Sequence, residues 1–197
     1  MKQLILASIS PRRSQLLRQS GYNFRVHGSN IADEKIKAPL PGGVELLALE
    51  KAEDVASSYG SGIILGADTV VIKDDKILGK PKDPEDARSM LNMLSGKYHQ
   101  VITGFALVDA SRKQETLTDH VVTTVKMRNL SGEEIDDYIK SGEPEDKAGA
   151  YGIQGKAAVF VDSVDGCFFN VVGLPLSKVY KYLALTGITP DFGKNIC

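Results

Sequence analysis

Residues 63–72, IILGADTVVI, constrain the fold of this chain more than any other segment. The run is apolar and rich in β-branched side chains, which predicts a β-strand. One carboxylate, Asp68, interrupts it, and the alternation of a strand puts that side chain on the same face as Gly66 and Val70. A carboxylate near a buried face needs a partner charge, a metal ion or hydrogen-bond donors. The alternative is an edge strand on which Asp68 faces solvent.

Strand and helix signals follow one another along the whole chain. Helix starts are indicated by Ser10 before Pro11, Asp83 before Pro84, and the capping-box pair Ser131 and Glu134. The predicted helices cover 11–20, 44–58, 84 to near 96, 132 to near 142, and 176–186. The predicted strands cover 3–7, 63–72, 77–78, 99–109 and 115–127, and a hairpin joins 157–163 to 167–172 through a turn at Asp165-Gly166. This mixture of hairpins and crossovers predicts an α/β fold with a mixed sheet.

The length and charge of the chain limit its functional class. Its 197 residues fit one domain, or two lobes around one core. Lys and Arg number 24 against 25 Asp and Glu, which gives a net charge of −1. A non-specific nucleic-acid binder needs a basic excess to release phosphate counterions, so we expect no nucleic-acid partner.

We expect a cytoplasmic protein with no membrane association. The apolar run at the start, 4–7, is too short for the core of a signal peptide, and no stretch approaches the roughly 18 apolar residues of a membrane span. The two cysteines, Cys167 and Cys197, are too few for a disulfide framework and lack metal-ligand spacing. Reduced thiols in the cytosol are the simplest interpretation.

Two adjacent arginines open the helix that follows the first strand. A helix N-terminus carries unpaired N–H groups and a partial positive charge, so Arg12 and Arg13 are unfavourable there without an anion. Arginine forms bidentate hydrogen bonds with phosphate oxygens. A phosphate ligand is the favoured hypothesis, and a solvated helix start with a serine cap is the alternative.

Two lysines also occupy unusual positions. Lys51 falls on the apolar stripe of the helix 44–58, seven residues after Val44 and four before Val55. Its ammonium either reaches water along its own stem or meets an anion. Lys80 precedes Pro81, which holds it in an extended conformation and would stiffen a cation that points into a site. A surface loop lysine is the alternative.

A glycine-rich loop at 148–155 carries an amide side chain, that of Gln154. An amide both donates and accepts hydrogen bonds, so it can recognise the edge of a base or a ribose. A simple turn would need only the glycines.

Several common site motifs do not occur in the sequence. It has no Walker A motif and no G-x-G-x-x-G, and His27, His99 and His120 form neither a zinc motif nor a triad with a nucleophile elbow. What remains is a set of cations and at least one carboxylate, which fits a polyphosphate ester with its divalent metal. The residues alone therefore indicate either a phosphate-ester hydrolase or a nucleotide binder.

Six segments, in order, carry a family resemblance over nearly the whole chain. They are LILASISPRR at 4–13, ALEKA at 48–52, GADTVV at 66–71, LGKPKD at 78–83, SGEPEDKAGAYGIQG at 141–155 and VVGLPLSK at 171–178. With these segments the sequence resembles the Maf family of nucleoside triphosphate pyrophosphatases. The resemblance implies an elongated, two-lobed α/β fold like that of inosine triphosphate pyrophosphatase, with a mixed sheet flanked by helices and a central cleft. It also implies a single domain at 1–187. The tail at 188–197 follows the last predicted helix, and we expect it to be flexible because chain termini commonly fray.

The resemblance further implies a house-cleaning activity that cleaves a nucleoside triphosphate to the monophosphate and pyrophosphate. The GAYGIQG segment is similar to the subgroup acting on dTTP, UTP and modified uridine nucleotides. A divalent metal cofactor is implied, with Mg²⁺ expected and Mn²⁺ as the alternative, and a homodimer is common among related proteins. The rival hypothesis is a nucleotide-binding regulator of septum formation that does not hydrolyse its ligand.

The family's functional positions can be placed on this sequence. The proton acceptor corresponds to Asp68, which would also bind the metal together with the second acid, Glu34. The substrate-selectivity positions correspond to Arg12, Thr69 and Gln154. The positions that contact phosphates correspond to Ser8, Arg13, Lys51 and Lys80.

Overall fold

Seven strands form one mixed β-sheet in the computed structural model, which describes residues 2–31, 36, 40–112 and 116–192. The strands are β1 (Leu4–Leu6), β2 (Phe24–Val26), β3 (Ile63–Lys73), β4 (Lys76–Leu78), β5 (Tyr98–Asp109), β6 (Thr116–Met127) and β7 (Val161–Asp165). Their order in the sheet is β2-β1-β3-β5-β6-β7, and β4 pairs with β3 outside this path. The pairs β1–β2 and β1–β3 are parallel, whereas β3–β4 and β6–β7 are antiparallel. The predicted α/β fold with a mixed sheet is confirmed.

Five of the helices lie close to their predicted positions, and α5 forms where a strand was predicted. They are α1 (Pro11–Gln19), α2 (Gly42–Ala56), α3 (Pro84–Leu94), α4 (Gly132–Lys140), α5 (Phe168–Val172) and α6 (Leu176–Leu185). Three short 3-10 helices are added to these at Glu143–Asp146, Ala148–Ala150 and Lys156–Phe160.

Two of the predicted helix caps form as expected. The Asp83 side chain accepts a hydrogen bond of 2.7 Å from the amide of Asp86 at the start of α3. At the start of α4, Ser131 Oγ accepts from the Glu134 amide at 3.2 Å, and the Glu134 carboxylate accepts from the Ser131 amide at 2.8 Å. Each cap satisfies helix N–H groups that would otherwise lack a partner.

The chain divides into two compact units. Unit 1 consists of Met1–Asp68, Thr103–Val121 and Gly173–Cys197. A core of buried apolar side chains holds it together: Ile5, Ala7, Ala48, Ala52, Val55, Ala56, Ile64, Ala106, Val108 and Ala110. The buried stripe predicted for α2 is confirmed, because its apolar members are buried.

Unit 2 consists of Thr69–Ile102 and Val122–Val172. Its core joins the apolar face of α3 to strand residues and to aromatic rings from α4 and the segment that follows it. Among its members are Leu91, Leu94, Val101, Val125, Ile135, Tyr138, Tyr151 and Phe160.

The hairpin predicted for unit 2 is wrong in both halves. Its first strand was predicted at 157–163, but Lys156–Phe160 is a 3-10 helix and β7 begins only at Val161. Residues 167–172 were predicted to be the second strand of a hairpin, but Phe168–Val172 is the short helix α5, and β7 pairs with β6 instead. The buried Asn170 side chain donates hydrogen bonds of 2.9 Å to the Val101 carbonyl and to Thr123 Oγ1. These long-range bonds satisfy a buried amide and favour the helical turn over local strand propensity.

The last described residues pack within unit 1. Ile188 is buried, and the Asp191 amide donates a hydrogen bond of 2.8 Å to the Gly21 carbonyl. Residues 193–197 of the predicted tail lie outside the described residues. Throughout the described ranges, every helix is too short or too polar to cross a bilayer.

Candidate functional site

The order of three strands in unit 1 defines a place where ligands commonly bind. β1 lies between β2 and β3 and is parallel to both, so the chain leaves β1 toward one side of the sheet and later returns on the other. In α/β sheets, the crevice outside the carboxyl ends of the strands at such a switch point is the usual ligand site. The register Leu6↔Leu65, continued by a 2.8 Å bond from the Ala7 amide to the Leu65 carbonyl, brings Ser8 and Asp68 to this edge.

The turn between β1 and α1 directs an arginine toward the helix N-terminus. Arg13 Nη1 donates to Ser8 Oγ at 3.2 Å, and Arg13 Nε donates to the Gly173 carbonyl at 2.9 Å. The Ser10 amide also donates to Ser8 Oγ, at 3.2 Å. Ser10 occupies the N-cap position and the helix begins at Pro11, both as predicted, but the Ser10 side chain makes no cap hydrogen bond. The first turn of α1 therefore holds a guanidinium where an anion is favoured.

Two glycines let α2 lie directly against the strands of unit 1. A Cβ atom on Gly66 would stand 2.1 Å from the Ala48 carbonyl oxygen, and one on Gly104 would stand 2.7 Å from the backbone of Val44. Only residues without a side chain allow such an approach. The sequence alone does not indicate this role for either glycine, because the requirement arises only when the helix is packed on the sheet.

This close packing joins Lys51 to Asp68. Lys51 lies one helical turn after Ala48, and Asp68 follows Gly66 on the same face of β3. The Lys51 ammonium is 2.6 Å from Asp68 Oδ1, and their side chains are 7% and 8% exposed. The alternative of a solvent-facing Asp68 is therefore excluded.

A buried ion pair of this kind is weak support for stability, because desolvation of the two charges offsets much of their attraction. This pair, however, lies at the carboxyl edge of parallel strands, where ligands usually bind. Chemically, it presents a carboxylate able to accept a proton or hold a cation, beside an ammonium able to neutralise a phosphate oxygen.

The predicted site residues are distributed over both units. Ser8, Arg12, Arg13, Lys51 and Asp68 belong to unit 1, and Thr69, Lys80 and Gln154 belong to unit 2. Arg12 is half-buried in the first turn of α1, and Thr69 is half-buried in β3. Lys80 and Gln154 are exposed.

Within unit 2, backbone contact connects the segments that carry Lys80 and Gln154. The amide of Gly149, in the loop before Gln154, donates a hydrogen bond of 3.0 Å to the carbonyl of Gly79, the residue before Lys80. Gly149 has φ +68°, and a Cβ atom there would lie only 3.0 Å from Val71 Cγ2. Glycine is thus required for both its conformation and its fit.

The donor chemistry of Asp68 fits a divalent metal. Mg²⁺ takes oxygen ligands and is usually held by one or two carboxylates together with substrate phosphates. Asp68 supplies one carboxylate at the ligand-binding edge of the sheet. Glu34, the other predicted metal ligand, lies outside the described residues.

A second polar cluster in unit 1 was not foreseen. His120 Nδ1 is 2.5 Å from Glu45 Oε1, and the neighbouring Asp119 carboxylate accepts from Lys178 Nζ at 2.7 Å and from Tyr182 OH at 2.9 Å. Burial disfavours the charge of Asp119, but its hydrogen bonds outweigh that effect and lower its pKa. These residues come from distant parts of the sequence, so no local motif could have indicated the cluster. The Lys178 ammonium already neutralises Asp119.

A strand switch point with a buried acid–lysine pair beside it and a guanidinium at a helix N-terminus is typical of α/β proteins that bind phosphate groups. The family model described as Maf-like protein matches residues 3–186. The chain therefore belongs to the Maf family.

Curated relatives match the chain over nearly its full length. A dTTP/UTP pyrophosphatase of Alkaliphilus oremlandii is 53% identical over 182 residues, 91% of the chain and 93% of the relative. Another, of Desulforamulus reducens, is 46% identical over 190 residues, 95% of the chain and 98% of the relative. A third, of Bacillus pumilus, is 47% identical over 191 residues, 96% of the chain and 100% of the relative.

More distant similarity extends to solved structures. A HAM1 protein from Coxiella burnetii has a TM-score of 0.49 and 16% identity, with 81% of this chain and 91% of that chain covered. The Staphylococcus aureus Ham1 protein has a TM-score of 0.47 and 13% identity, with 79% of this chain and 90% of that chain covered.

Proposed function

We propose that the chain is a nucleoside triphosphate pyrophosphatase that cleaves dTTP and UTP, and modified uridine triphosphates, to the monophosphate and pyrophosphate. The observation that carries this proposal is the buried Lys51–Asp68 pair at the ligand-binding edge of the sheet. Membership of the Maf family supports the reaction class, and relatives named dTTP/UTP pyrophosphatase support the choice of nucleotides.

In the proposed reaction, Asp68 accepts a proton from the water that attacks the α-phosphorus. The bond between the water oxygen and the α-phosphorus forms while the bond from that phosphorus to the bridging oxygen breaks, and pyrophosphate leaves. A positioned general base of this kind typically contributes about 100- to 10,000-fold to the rate. Lys51 lies beside Asp68 and would neutralise charge that develops on a phosphate oxygen.

The remaining cations are proposed to hold the triphosphate. Arg13, fixed by Ser8 and by the Gly173 carbonyl, is preorganised to bind a phosphate oxygen near the start of α1. Ser8 offers its hydroxyl at the same place. Lys80 in unit 2 is proposed as a further phosphate ligand.

Gln154, Thr69 and Arg12 are proposed to select the nucleotide. Uracil and thymine present the same hydrogen-bonding edge, and one amide can accept from the ring N–H and donate to a neighbouring carbonyl. Cytosine presents an amino group in place of that carbonyl, so an amide held in one orientation would discriminate against it. Gln154 is exposed and therefore accessible to a base.

We propose Mg²⁺ as the cofactor, with Mn²⁺ as a substitute. Asp68 and Glu34 would hold it. When bound, a divalent ion neutralises negative charge on the leaving pyrophosphate.

The deciding experiment incubates the purified full chain with Mg²⁺ and each of dTTP, UTP, CTP, ATP and GTP and measures pyrophosphate release. We expect rapid release from dTTP and UTP and slow release from the others. Tight binding of dTTP without any release would contradict the proposal and favour a nucleotide-binding regulator of septum formation. Release of inorganic phosphate alone would contradict the proposed site of cleavage.

We also propose a cytoplasmic homodimer whose Maf domain spans residues 1–187. The family match over 3–186 supports these domain limits. Light scattering coupled to size-exclusion chromatography tests the dimer directly, since a monomer has a mass of 21.3 kDa.

A further inference from the structure

The loop that carries Gln154 is held from both sides by side chains of unit 2. We call residues 148–155 the recognition loop. Before Gln154, the Gly152 amide donates to Tyr138 OH at 3.3 Å. After it, the Lys156 amide donates to the Glu143 carboxylate at 3.0 Å. An exposed side chain can present its amide in one orientation only if the backbone on each side is fixed in this way.

Glu143 connects these two attachments. Tyr138 OH donates to Glu143 Oε1 at 3.1 Å, so the acceptor for the Gly152 amide is itself oriented by the carboxylate. Burial, with the nearby Glu143 charge, raises the pKa of Tyr138, and its hydroxyl remains a donor at neutral pH. A Cβ atom on Gly155 would stand 2.0 Å from Glu143 Oε1, so the carboxylate lies directly against the loop backbone.

A second attachment fixes the middle of the recognition loop. Tyr151 OH is 2.7 Å from His99 Nε2, and both side chains are buried. Their rings meet edge to face, with centroids 5.4 Å apart. Burial lowers the pKa of His99 to about 4, so this ring is neutral and the hydrogen bond does not depend on a charged partner near neutral pH.

We infer that Glu143 and Tyr138 are positioning residues that set base selectivity by fixing the recognition loop around Gln154. This inference rests on the proposed function for the identity of the substrates. Neither residue touches the nucleotide in this scheme. They act by fixing the orientation of the Gln154 amide. In the proposed function, that orientation allows the enzyme to distinguish uracil from cytosine.

Two variants test the inference. Glu143→Ala removes the carboxylate, and Tyr138→Phe removes only the hydroxyl that links Glu143 to Gly152. For each, kcat and KM are measured with UTP and with CTP. We expect the ratio of kcat/KM for UTP over CTP to fall by about 10- to 100-fold. A displacement of about 1 Å in the recognition loop is enough to reduce catalytic efficiency by this factor, and only the substrate that Gln154 recognises should be affected. The change should appear mainly as a higher KM for UTP. Glu143→Gln, which keeps one acceptor oxygen, should recover part of the selectivity.

Glu134→Gln provides the matched control. Glu134 is also a carboxylate of unit 2, but it caps α4 and pairs with Arg128 rather than with the recognition loop. This variant should lose thermal stability and keep the wild-type UTP-to-CTP ratio. An equal change of the ratio in the control, or an unchanged ratio in folded Tyr138→Phe, would overturn the inference.

Hydrogen exchange measured by mass spectrometry separates this inference from the proposed function. Glu143→Ala and Tyr138→Phe should speed amide exchange in peptides covering 148–156, and Glu134→Gln should speed it only in peptides covering 131–140. An inactive wild-type enzyme would contradict the proposed function, while the exchange result would still decide whether these residues fix the loop. If Glu143→Ala and Tyr138→Phe both show the wild-type rate of amide exchange in peptides covering 148–156, the inference is overturned even if the enzyme is active.

Discussion

The Lys51 ammonium lies 2.6 Å from Asp68 Oδ1, and the packing of α2 on β3 removes both groups from solvent. An apolar pair of similar volume would often be as stable as a buried ion pair, or more stable. The fold therefore gains little from these charges that apolar residues could not supply. Their location at the carboxyl edge of the parallel strands gives them a chemical role instead.

Asp68→Asn should abolish most of the activity and also weaken the fold. Asparagine cannot accept the proton, so kcat for dTTP should fall by about 100- to 10,000-fold. The substitution also breaks the buried ion pair between Asp68 and Lys51, which costs about 3–5 kcal/mol in the free energy of unfolding. Pyrophosphate release and urea unfolding measure the two effects separately. Near-normal turnover would remove Asp68 from the role of base.

The double variant Lys51→Met with Asp68→Leu is the control for stability. With both charges replaced by apolar side chains, the free energy of unfolding should equal that of wild type or exceed it by about 1–4 kcal/mol. Activity should remain absent. A stable double variant with restored turnover would show that the pair has no part in catalysis.

Gly66→Ala should displace α2 from the sheet. The new methyl group would stand 2.1 Å from the Ala48 carbonyl oxygen, which belongs to rigid helix backbone. We expect a loss of about 1–3 kcal/mol in the free energy of unfolding. Because Lys51 moves with the helix, kcat should fall by about 10-fold or more.

Gly42→Ala is the matched control in the same helix. Among the described residues, nothing lies within 4 Å of a Cβ at Gly42, so the substitution should stabilise the protein by about 0.4–1 kcal/mol and leave kcat unchanged. Equal stability of Gly66→Ala and Gly42→Ala in urea unfolding would contradict the role of Gly66 in the close packing of α2 on the sheet.

Local signals in the sequence were sufficient for most of the fold. Asp83 and Ser131 cap helices where predicted, because capping depends on residues within one turn. Lys51 and Asp68 could be recognised as well, since each breaks an apolar pattern within its own element. Their mutual contact could not be read from either pattern.

Features that depend on packing were not predicted. Residues 167–172 satisfy strand propensity, yet the long-range bonds of Asn170 favour a helix. The close approach of α2 to Gly104 and the cluster around Asp119 join residues far apart in sequence. Glu143 lies inside a recognised motif, but its contacts with the recognition loop appear only in the folded chain.

His99 should make stability depend on pH below neutrality. Burial, aided by the charge of Lys73, lowers the pKa of His99 from 6.5 to about 4. The unfolded chain therefore binds more protons between these values, and stability falls as pH drops from 6.5 to 4. The shift corresponds to about 3 kcal/mol. Urea unfolding of wild type and His99→Gln across pH 4 to 7.5 measures the contribution of His99. It should appear as a steeper dependence of the free energy of unfolding on pH in the wild type.

Tyr151→Phe tests the stated cause of that shift. It removes the hydrogen bond to His99 but keeps the ring that buries it, so the pH slope should persist. Parallel stability curves for wild type and His99→Gln would show that His99 does not contribute the slope.

Gln154→Ala should change the selectivity between nucleotides more than the affinity for their phosphate groups. The substitution removes the amide proposed to recognise the uracil or thymine edge, while the cations at Arg13, Lys51 and Lys80 remain. We expect the ratio of kcat/KM for dTTP over CTP to fall by about 10-fold or more, and inhibition by pyrophosphate to change by less than about 3-fold. Gln100→Ala, which replaces an exposed glutamine on β5 in the same unit, should leave both measurements at wild-type values. A lower affinity for pyrophosphate with an unchanged dTTP-to-CTP ratio would assign Gln154 to the phosphates instead of the base.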